Sequence, residues 1–372
     1  MKKRSKQDSP IKSILTCLLP TLFLLGFGVS LCLLPQKEYS DAERRPYAVL
    51  PAVSKETFLN GELSEQLDPY LQDHFPLRQQ FRSLKAFFQY AALQQQDNNG
   101  IYFEKGHLGR LEYPLNEVML SHSLEQINKI YDLYLQNSNC SLYISVIPDK
   151  NYYLAKNAGY PVMDYDKLFE TVQENTPQMT YIDITDTLTY SDFYRTDIHW
   201  KQENLLETAS KICNGLSVSC ITQYKTETLD VPFYGVLASQ SALPVAPDTI
   251  QYLTNDLLKA CNVTYLDSAS GKSGLLYDIE KAHGKDAYEL FLSGNHALIT
   301  VDNPNASTDR ELILFRDSFG SSLCPLILQD YAKVTLVDIR YVNTEYLGNL
   351  ITFSDQDVYF LYSTHVLQSS AL

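Results

Sequence analysis

Three side chains in this sequence are of the types that nucleophilic catalysis requires. Asp197 and His199 lie two positions apart in "FYRTDIHWKQEN", residues 193–204, and Ser318 lies in "ELILFRDSFGSS", residues 311–322. A serine hydroxyl is a weak nucleophile and needs a neighbouring base, which His199 could supply. Asp197 could hold the imidazole in the required tautomer and stabilise its cation. These residues predict a Ser-His-Asp site for acyl transfer, provided that the fold brings them together.

Each of the two segments also has a simpler structural explanation. Asp197 could cap a helix that begins near Trp200, which would leave His199 solvated. Asp317 or Ser318 could likewise cap the helix that follows the strand "ELILFR". The catalytic interpretation instead places the serine at the turn between strand and helix, where backbone N–H groups can hold a developing oxyanion. The sequence leaves both interpretations open at this point.

Other polar residues could complete such a site. Asn295, in "FLSGNHALIT", could donate an amide N–H to an oxyanion, and His296 is a rival base, although Ser-Gly-Asn also suits a turn between strands. Arg340, in "VDIRY", could bind an anionic substrate or form a structural ion pair, and Asp317 is a further candidate for substrate binding. No spacing of Cys or His resembles a zinc site, so we expect neither a metal nor another cofactor.

The elements that must position these residues alternate between strands and helices from residue 124 onwards. Predicted strands are "SLYISVIP", "TYIDIT", "ELILFR", "KVTLVDIRY" and "DVYFLYST". Predicted helices are "LEQINKIYDLYLQN", "HWKQENLLETASKICNGL", "FGSSLCPLILQDY" and "NTEYLGNLITF". Strands separated by such helices imply an α/β fold with a mostly parallel sheet covered on both faces. Sites in such folds collect at the carboxyl ends of strands, where Ser318 lies.

Three other segments complete the predicted fold. Residues 62–96 are expected to be helical because apolar residues such as Phe81, Leu84 and Phe88 recur three and four positions apart. "IYFEKGHLGRL" predicts a strand, a glycine turn and a second strand. Residues 217–297 are irregular and rich in Tyr, Ser and Pro, which indicates an insertion that forms a lid or one wall of a cleft.

The apolar segment near the N-terminus predicts the location of the protein. Residues 12–35 carry no charge after Lys12, and that length suits one membrane-spanning helix. Because basic residues precede it, the N-terminus is expected in the cytoplasm and the main domain outside. A cleaved signal peptide is the alternative, although no small-x-small cleavage site follows. The predicted organisation is a cytoplasmic tail at 1–11, an anchor, a linker at 36–60 and an exported domain at 61–372.

The net charge limits the partners expected for this chain, and the cysteine content bears on its disulfide bonding. The chain of 372 residues has a formal net charge of −14 although its first 12 residues are basic, so the exported part is strongly acidic. Nucleic acid is therefore not an expected partner, because neutralising phosphates needs Lys and Arg. Two of the seven cysteines lie in the predicted anchor, and the other five are too few and too scattered for a disulfide scaffold. Cys213 and Cys220 are close enough in sequence to bond, but spacing alone does not decide whether they do.

The order of the motifs resembles that of a known family. "TDIHW", "FLSGNHALIT", "RDSFGSS" and "LVDIRYVN", together with "DHFPLRQQFRSLK" and "NGIYFEKGHLGRL" before them, occur as in DHHW family proteins. That family resembles the SGNH-hydrolase-like domains of the alginate O-acetylation machinery. The resemblance covers roughly residues 40–365 and implies an SGNH-hydrolase-like fold with Asp197, His199 and Ser318 at the catalytic positions. The chain departs from the family at Ile198, where the family name has a histidine.

The resemblance implies acyl-ester chemistry on a cell-envelope polysaccharide. The enzyme would be an O-acetyltransferase if a sugar hydroxyl accepts the acyl group, and an acetylesterase if water does. A transferase would also need a multi-span membrane protein as acyl donor, because this chain has one predicted span. The alternative is a non-catalytic SGNH-like domain that binds a glycan or scaffolds an envelope complex. Catalysis requires His199 within hydrogen-bond reach of both Ser318 and Asp197, and a separation beyond ~8 Å from the serine would exclude it.

Overall fold

The structure is a computed structural model that describes residues 10–33, 35, 37–40, 43, 45–266, 271–284 and 286–372. The predicted cytoplasmic tail lies outside these residues except at its last two positions. The chain divides into two compact units. The first runs to Gln95 and includes Ala242–Pro244, and the second comprises Gln96–Ser241 and Val245–Leu372.

The first unit is largely helical where it is described. Its helices are α1 (Pro10–Leu33), α2 (Lys55–Leu59), α3 (Glu62–Asp73) and α4 (Arg78–Ala91), and its short antiparallel strands are β1 (Tyr39–Ser40) and β2 (Arg45–Pro46). Within α1, the 18 residues Ile14–Leu31 have a mean hydropathy of 2.2. This helix is long and apolar enough to cross a membrane, a property that a signal sequence shares.

The single helix predicted over residues 62–96 was wrong in one respect, because the structure has two helices there. The chain turns between α3 and α4 at Pro76, which lacks an N–H and disfavours the helical conformation for the residue before it. Leu77 then adopts a left-handed conformation with φ of 59°. The periodicity of apolar residues does not reveal this break, because it continues on both sides of the proline.

The second unit contains the sheets and the remaining helices. Its strands are β3 (Asp97–Asn98), β4 (Ile101–Glu104), β5 (His107–Arg110), β6 (Ser141–Ile147), β7 (Thr180–Tyr181), β8 (Lys225–Phe233), β9 (Asp248–Thr254), β10 (Asn262–Tyr265), β11 (Lys272–Gly274), β12 (Leu298–Asp302), β13 (Arg310–Arg316), β14 (Tyr331–Val337) and β15 (Asp357–Ser363). Its α-helices are α5 (Glu117–Ile130), α6 (Lys150–Ala158), α7 (Tyr165–Asn175), α8 (Leu206–Gly215), α9 (Val236–Ser241), α10 (Asp256–Ala260), α11 (Ile279–Ala282), α12 (Phe319–Leu323) and α13 (Thr364–Leu367). A π-helical turn extends α5 over Tyr131–Leu135, and 3₁₀ turns lie at Thr185–Thr187, Tyr190–Asp192, Gln202–Asn204, Ala287–Leu290, Cys324–Ile327 and Thr344–Asn349.

The central sheet confirms the predicted α/β class with a mostly parallel sheet. Its strand order is β11-β10-β12-β14-β13-β15-β6-β7. The strands from β14 to β7 run parallel, whereas β12, β10 and β11 add antiparallel pairs at one edge. Strand β13 lies between two parallel neighbours, which explains why its sequence is an almost unbroken apolar run.

Both faces of this sheet are covered, as the alternation of strands and helices predicts. Successive residues of β13 point to opposite faces, so Leu312 and Leu314 belong to one apolar core and Ile313 and Phe315 to the other. Apolar residues of α8 and of the segment after Ser318 fill the first core. Residues of α5 and α7 fill the second. The carboxyl end of β13 is therefore a fixed point between two packed layers.

Residues 217–297 are more regular than the sequence indicated. Strands β8 and β9 form an antiparallel hairpin, and β10 and β11 extend the central sheet. Polar residues alternate with apolar ones in β8, so its composition resembles that of a loop although its period is that of a strand. Within the same unit, Cys213 and Cys220 are free thiols, and the Cys220 thiol donates to the carbonyl oxygen of Leu326 at 3.5 Å.

Other predicted elements were correct in position but too long. The strand "TYIDIT" is reduced to β7, and the helix after Ser318 ends at Leu323 and continues as a 3₁₀ turn that contains Pro325. The segment "NTEYLGNLITF" is also a 3₁₀ turn rather than an α-helix. The predicted hairpin "IYFEKGHLGRL" is confirmed by β4 and β5, with Lys105 and Gly106 in left-handed conformations at its turn.

Candidate active site

The candidate nucleophile lies where β13 ends and α12 begins. The carboxylate of Asp317 accepts the Phe319 N–H at 3.0 Å through Oδ1 and the Ser363 N–H at 2.8 Å through Oδ2. Asp317 therefore caps this turn and ties it to the end of β15. The Ser318 side chain makes no capping bond to the helix. Of the two capping residues that the sequence allowed, only Asp317 has that role, and the serine hydroxyl is left for another partner.

The loop that carries the candidate base is a compact turn, which differs from the predicted start of a helix. A bridge between Phe193 and Trp200 closes the loop, and α8 begins only at Leu206. Asp197 consequently does not cap that helix. Its carboxylate Oδ1 instead accepts the backbone N–H of His199 at 3.0 Å, so the turn itself brings the two side chains together.

Asp197, His199 and Ser318 form a continuous chain of hydrogen bonds. The Nδ1 atom of His199 lies 2.5 Å from Oδ1 of Asp197, and its Nε2 atom lies 2.7 Å from Oγ of Ser318. Both distances are within the reach that a base and its partners require. Asp197 is fully buried, and His199 is only 6% exposed. The structure thus brings the three predicted residues together, while their catalytic roles stay predictions.

Asp197 is held from both its side chain and its backbone. Its Oδ2 atom accepts the N–H of Val236 at 2.8 Å. Its carbonyl oxygen accepts a bond of 2.8 Å from the buried ammonium group of Lys150, which also binds the carbonyl oxygens of Leu108 and Tyr194. Burial lowers the pKa of Lys150 to about 7, and the attraction of Asp197 opposes that shift. Lys150 follows strand β6 and lies beneath the loop, a role that its position in the sequence does not reveal.

Aromatic side chains fix the ring of His199. Tyr288 stacks on it with ring centroids 3.9 Å apart and planes 12° apart. The Tyr288 hydroxyl lies 2.8 Å from Oγ of Ser322, which also accepts the indole N–H of Trp200 at 2.8 Å. Sequence reasoning missed Tyr288, because nothing in its spacing distinguishes it among 27 tyrosines. The sequence likewise gives no sign of the bond between Trp200 and Ser322.

Gly235 is needed where the loop before α9 passes over Asp197. A Cβ atom at this position would lie 2.3 Å from Cβ of Asp197 and 2.5 Å from the carbonyl oxygen of Thr196. Gly235→Ala is therefore expected to displace the carboxylate, lower the free energy of unfolding by about 1–3 kcal/mol and slow the ester hydrolysis that is predicted for the three residues. Thermal unfolding and p-nitrophenyl acetate hydrolysis measure the two effects. Tyr234→Ala, which changes the exposed neighbour, is the control, and equal behaviour of the two variants would contradict the prediction.

The other predicted site residues do not join this group directly. Asn295 is exposed and precedes β12, which begins at the same edge of the sheet because it runs antiparallel to β14. No hydrogen bond among the described residues connects it to Ser318. His296 stacks on Tyr265 with ring centroids 4.1 Å apart and does not take the position of the base. Arg340 binds Asp338 through two bonds of 2.8 and 2.6 Å, so of its two predicted roles the structure favours the ion pair.

Arg316 places a buried positive charge behind the candidate nucleophile. Its side chain is 1% exposed, and Nη1 donates to the carbonyl oxygen of Asp317 at 3.3 Å and lies 3.9 Å from the carboxylate of Asp338. Its Nε and Nη2 atoms have no hydrogen-bond partner among the described residues. Burial lowers the pKa of this guanidinium. A cation held this close to the turn favours negative charge at Ser318.

Comparisons with known proteins identify the fold. No protein-family model and no curated protein matches the sequence. A DHHW family protein from Eubacterium siraeum has a similar structure, with 19% identity, a TM-score of 0.59, and coverage of 74% of this chain and 94% of that one. PatB1 from Bacillus cereus, solved with a sulfonyl adduct, has 16% identity, a TM-score of 0.57, and coverage of 73% and 97%. The O-acetyltransferase domain of Pseudomonas putida AlgJ has 14% identity, a TM-score of 0.42, and coverage of 73% and 93%. The predicted resemblance to DHHW proteins is confirmed for the fold.

Proposed function

We propose that this protein is a membrane-anchored, extracytoplasmic acyl-ester enzyme with Ser318 as nucleophile, His199 as base and Asp197 as the group that orients it. The single observation that carries the proposal is the hydrogen-bond chain from Asp197 through His199 to Ser318. A domain that only bound glycans would have no need of this arrangement. The separation beyond ~8 Å that would exclude catalysis does not occur, since the two atoms lie 2.7 Å apart.

The proposed reaction proceeds through an acyl-enzyme. Oγ of Ser318 attacks the acyl carbonyl carbon while its proton passes to Nε2 of His199, and Asp197 stabilises the resulting imidazolium. The tetrahedral intermediate collapses, the bond to the donor oxygen breaks, and His199 returns the proton to that oxygen. In the second half, His199 takes the proton of the acceptor hydroxyl, which attacks the acyl carbon. The Ser318 bond then breaks, and the serine oxygen recovers its proton.

The oxyanion of the intermediate needs donors near Ser318. The N–H groups of Phe319 and Gly320 are bonded to the side chain and the carbonyl oxygen of Asp317, respectively. The N–H of Ser318 itself makes no hydrogen bond among the described residues, so we assign it the first oxyanion contact. The charge of Arg316 supports it from behind. Asn295, at the same edge of the sheet, is the proposed second donor and would have to move its amide towards the substrate.

The acceptor decides whether the enzyme is an O-acetyltransferase or an acetylesterase. We propose transfer to a cell-envelope polysaccharide, as the resemblance of the motifs to those of DHHW family proteins implies. The proposed organisation keeps α1 as an anchor, with its N-terminus inside and residues 61–372 outside. An acyl group would then reach the site from a multi-span membrane partner, because acyl-CoA donors remain in the cytoplasm.

Covalent labelling of Ser318 tests this proposal. The full-length protein in detergent is treated with p-nitrophenyl acetate or with phenylmethylsulfonyl fluoride, a reagent chosen because PatB1 carries a sulfonyl adduct. We expect an acetyl or a sulfonyl group on Ser318 in the wild type and in Ser141→Ala, a control at an exposed serine, and no label in Ser318→Ala. Hydrolysis at the background rate, with Ser318 unmodified in every protein, would contradict the proposal and favour a glycan-binding domain.

A further inference from the structure

A pocket beside the proposed catalytic group contains a second carboxylate–imidazole pair. Its lining includes Glu112, Asp149, Lys150, Ile198, Phe319 and His365, all in the second unit. Ile198 lies between Asp197 and His199 in the chain, and Phe319 directly follows Ser318. The pocket therefore reaches the immediate neighbours of the proposed catalytic residues on both sides of the site.

The second pair is built like the first. Nδ1 of His365 lies 2.8 Å from Oε1 of Glu112, just as Nδ1 of His199 lies against Asp197. The other carboxylate oxygen of Glu112 accepts the side-chain amide of Gln368 at 2.8 Å. In the first pair, Nε2 of the histidine binds the serine. In the second, Nε2 of His365 has no partner among the described residues, and 39% of the side chain is exposed.

The position of His365 is fixed to the same edge of the sheet as Ser318. His365 lies in α13, directly after β15. The last residue of that strand, Ser363, binds the carboxylate of Asp317 through its N–H, and Thr364 donates its hydroxyl to Asp149 at 2.9 Å. The start of α13 is thus attached to the turn that carries the nucleophile.

The other buried charged groups of the pocket are already occupied. Asp149 accepts the hydroxyl groups of Tyr165 and Thr364 and the N–H of Asn151. All three N–H bonds of Lys150 go to backbone carbonyl oxygens. The side-chain polar atoms of Asp149, Lys150 and Glu112 thus all have partners within the protein. Nε2 of His365 has none among the described residues, and it is therefore the atom that can bind a ligand.

We propose that this pocket is the acceptor subsite, in which Nε2 of His365 donates a hydrogen bond to a hydroxyl group of a carbohydrate. The pocket encloses about 30 Å³, so it admits one hydroxyl group of the acceptor, and the rest of the sugar lies outside it. This inference rests on the proposed acyl-enzyme function and specifies its acceptor. His365 positions the acceptor, whereas His199 alone removes the proton from the attacking hydroxyl.

The protonation of the His365 ring agrees with the role of Nε2 as a hydrogen-bond donor. The hydrogen bond to Glu112 raises the pKa of His365 and outweighs the opposite effect of burial. Glu112 thus favours the protonated ring, in which both nitrogen atoms donate. Arg110, Asp149 and Lys150 are the other charged groups that face the pocket. A hydroxyl oxygen can accept from Nε2 and still present its own proton to His199.

The partition of the acyl-enzyme between sugar and water tests the inference. Full-length protein in detergent receives p-nitrophenyl acetate as donor and chitopentaose or cellopentaose as acceptor, and mass spectrometry counts acetylated sugar against released acetate. We expect His365→Ala and Glu112→Gln each to lower the ratio of transfer to hydrolysis about tenfold, chiefly through a higher KM for the sugar. His122→Ala, at an exposed histidine of α5, is the matched control and should keep the wild-type ratio.

The readouts separate failure of the inference from failure of the proposed function. If Ser318 is never acetylated in the wild type, the proposed function fails, and the inference fails with it. If Ser318 is acetylated but the wild type transfers to neither sugar, the acceptor subsite is overturned alone. The same holds if the two variants, shown by thermal unfolding to be folded, partition like the wild type. Two variants are used so that a fold defect in one leaves the other to decide.

Discussion

Replacing His199 with alanine is expected to lower the rate at which p-nitrophenyl acetate acylates Ser318 by about 10³-fold or more. Without the imidazole, the serine hydroxyl has no base within 2.7 Å and stays protonated at neutral pH. Ser318→Ala removes the nucleophile itself and should have an effect at least as large. Burst kinetics at pH 7 to 8, followed by mass spectrometry of the Ser318 peptide, measure both variants.

Non-additivity distinguishes a catalytic pair from two separate structural contributions. If His199 and Ser318 act as one unit, removing either residue already removes their joint effect on the acylation rate. The variant that carries both substitutions should therefore react no more slowly than the slower of the two single variants. His199 also packs against Tyr288 and Phe319, so its removal leaves a cavity. His199→Gln keeps much of the volume and should be as inactive as the alanine variant. Activity within about tenfold of the wild type in a folded glutamine variant would refute the role of His199 as base.

The strands that carry the site could be predicted from sequence because their pattern is a direct consequence of burial. A strand such as β13, which is covered on both faces and paired on both edges, must be apolar along its length, and its end at Arg316 is therefore visible. The turn that follows places Asp317 and Ser318 at the carboxyl edge, which is where sites collect in α/β folds. The end of β13 and the residue types after it were thus sufficient to make Ser318 a candidate, although they did not exclude a capping role.

The contacts that hold the site could not be predicted, because they join residues far apart in the chain. Asp197 depends on the N–H of Val236 and on the ammonium of Lys150, and neither has any sequence signal that points to residue 197. Tyr288 stacks on His199 from a 3₁₀ turn in a segment whose composition suggested a loop. The same segment, 217–297, contains strands with so many polar residues that their two-residue alternation of polar and apolar side chains is not apparent from composition. The sequence therefore reveals the candidate residues and the strands that carry them, whereas the long-range contacts that hold these residues in place are visible only in the folded chain.

Asp197→Asn is expected to lower kcat by about 10⁴-fold while the protein stays folded. The carboxylate accepts at both oxygens, from Nδ1 and the N–H of His199 at Oδ1 and from the N–H of Val236 at Oδ2. Asparagine offers one oxygen and one NH₂ group. If its oxygen faces Val236, its NH₂ faces Nδ1 and forces the proton onto Nε2, which can then no longer accept the proton of Ser318. That orientation also leaves the backbone N–H of His199 unpaired, and if the amide is reversed, its NH₂ opposes the N–H of Val236 instead, so a buried donor is left unpaired in either case.

Asp248→Asn is the matched control, because Asp248 is a buried carboxylate that holds the same loop without touching the imidazole. It accepts the N–H groups of Arg195 and Thr196 at 3.0 and 2.7 Å. Both substitutions should lower the free energy of unfolding by about 1–3 kcal/mol through unpaired donors, which chemical denaturation measures. Only the change at Asp197 alters the tautomer of His199. Only that variant should therefore lose the low-field NMR resonance of the Nδ1 proton and show the large decrease in kcat. Equal losses of kcat in the two variants would mean that Asp197 stabilises the loop and does not orient the base.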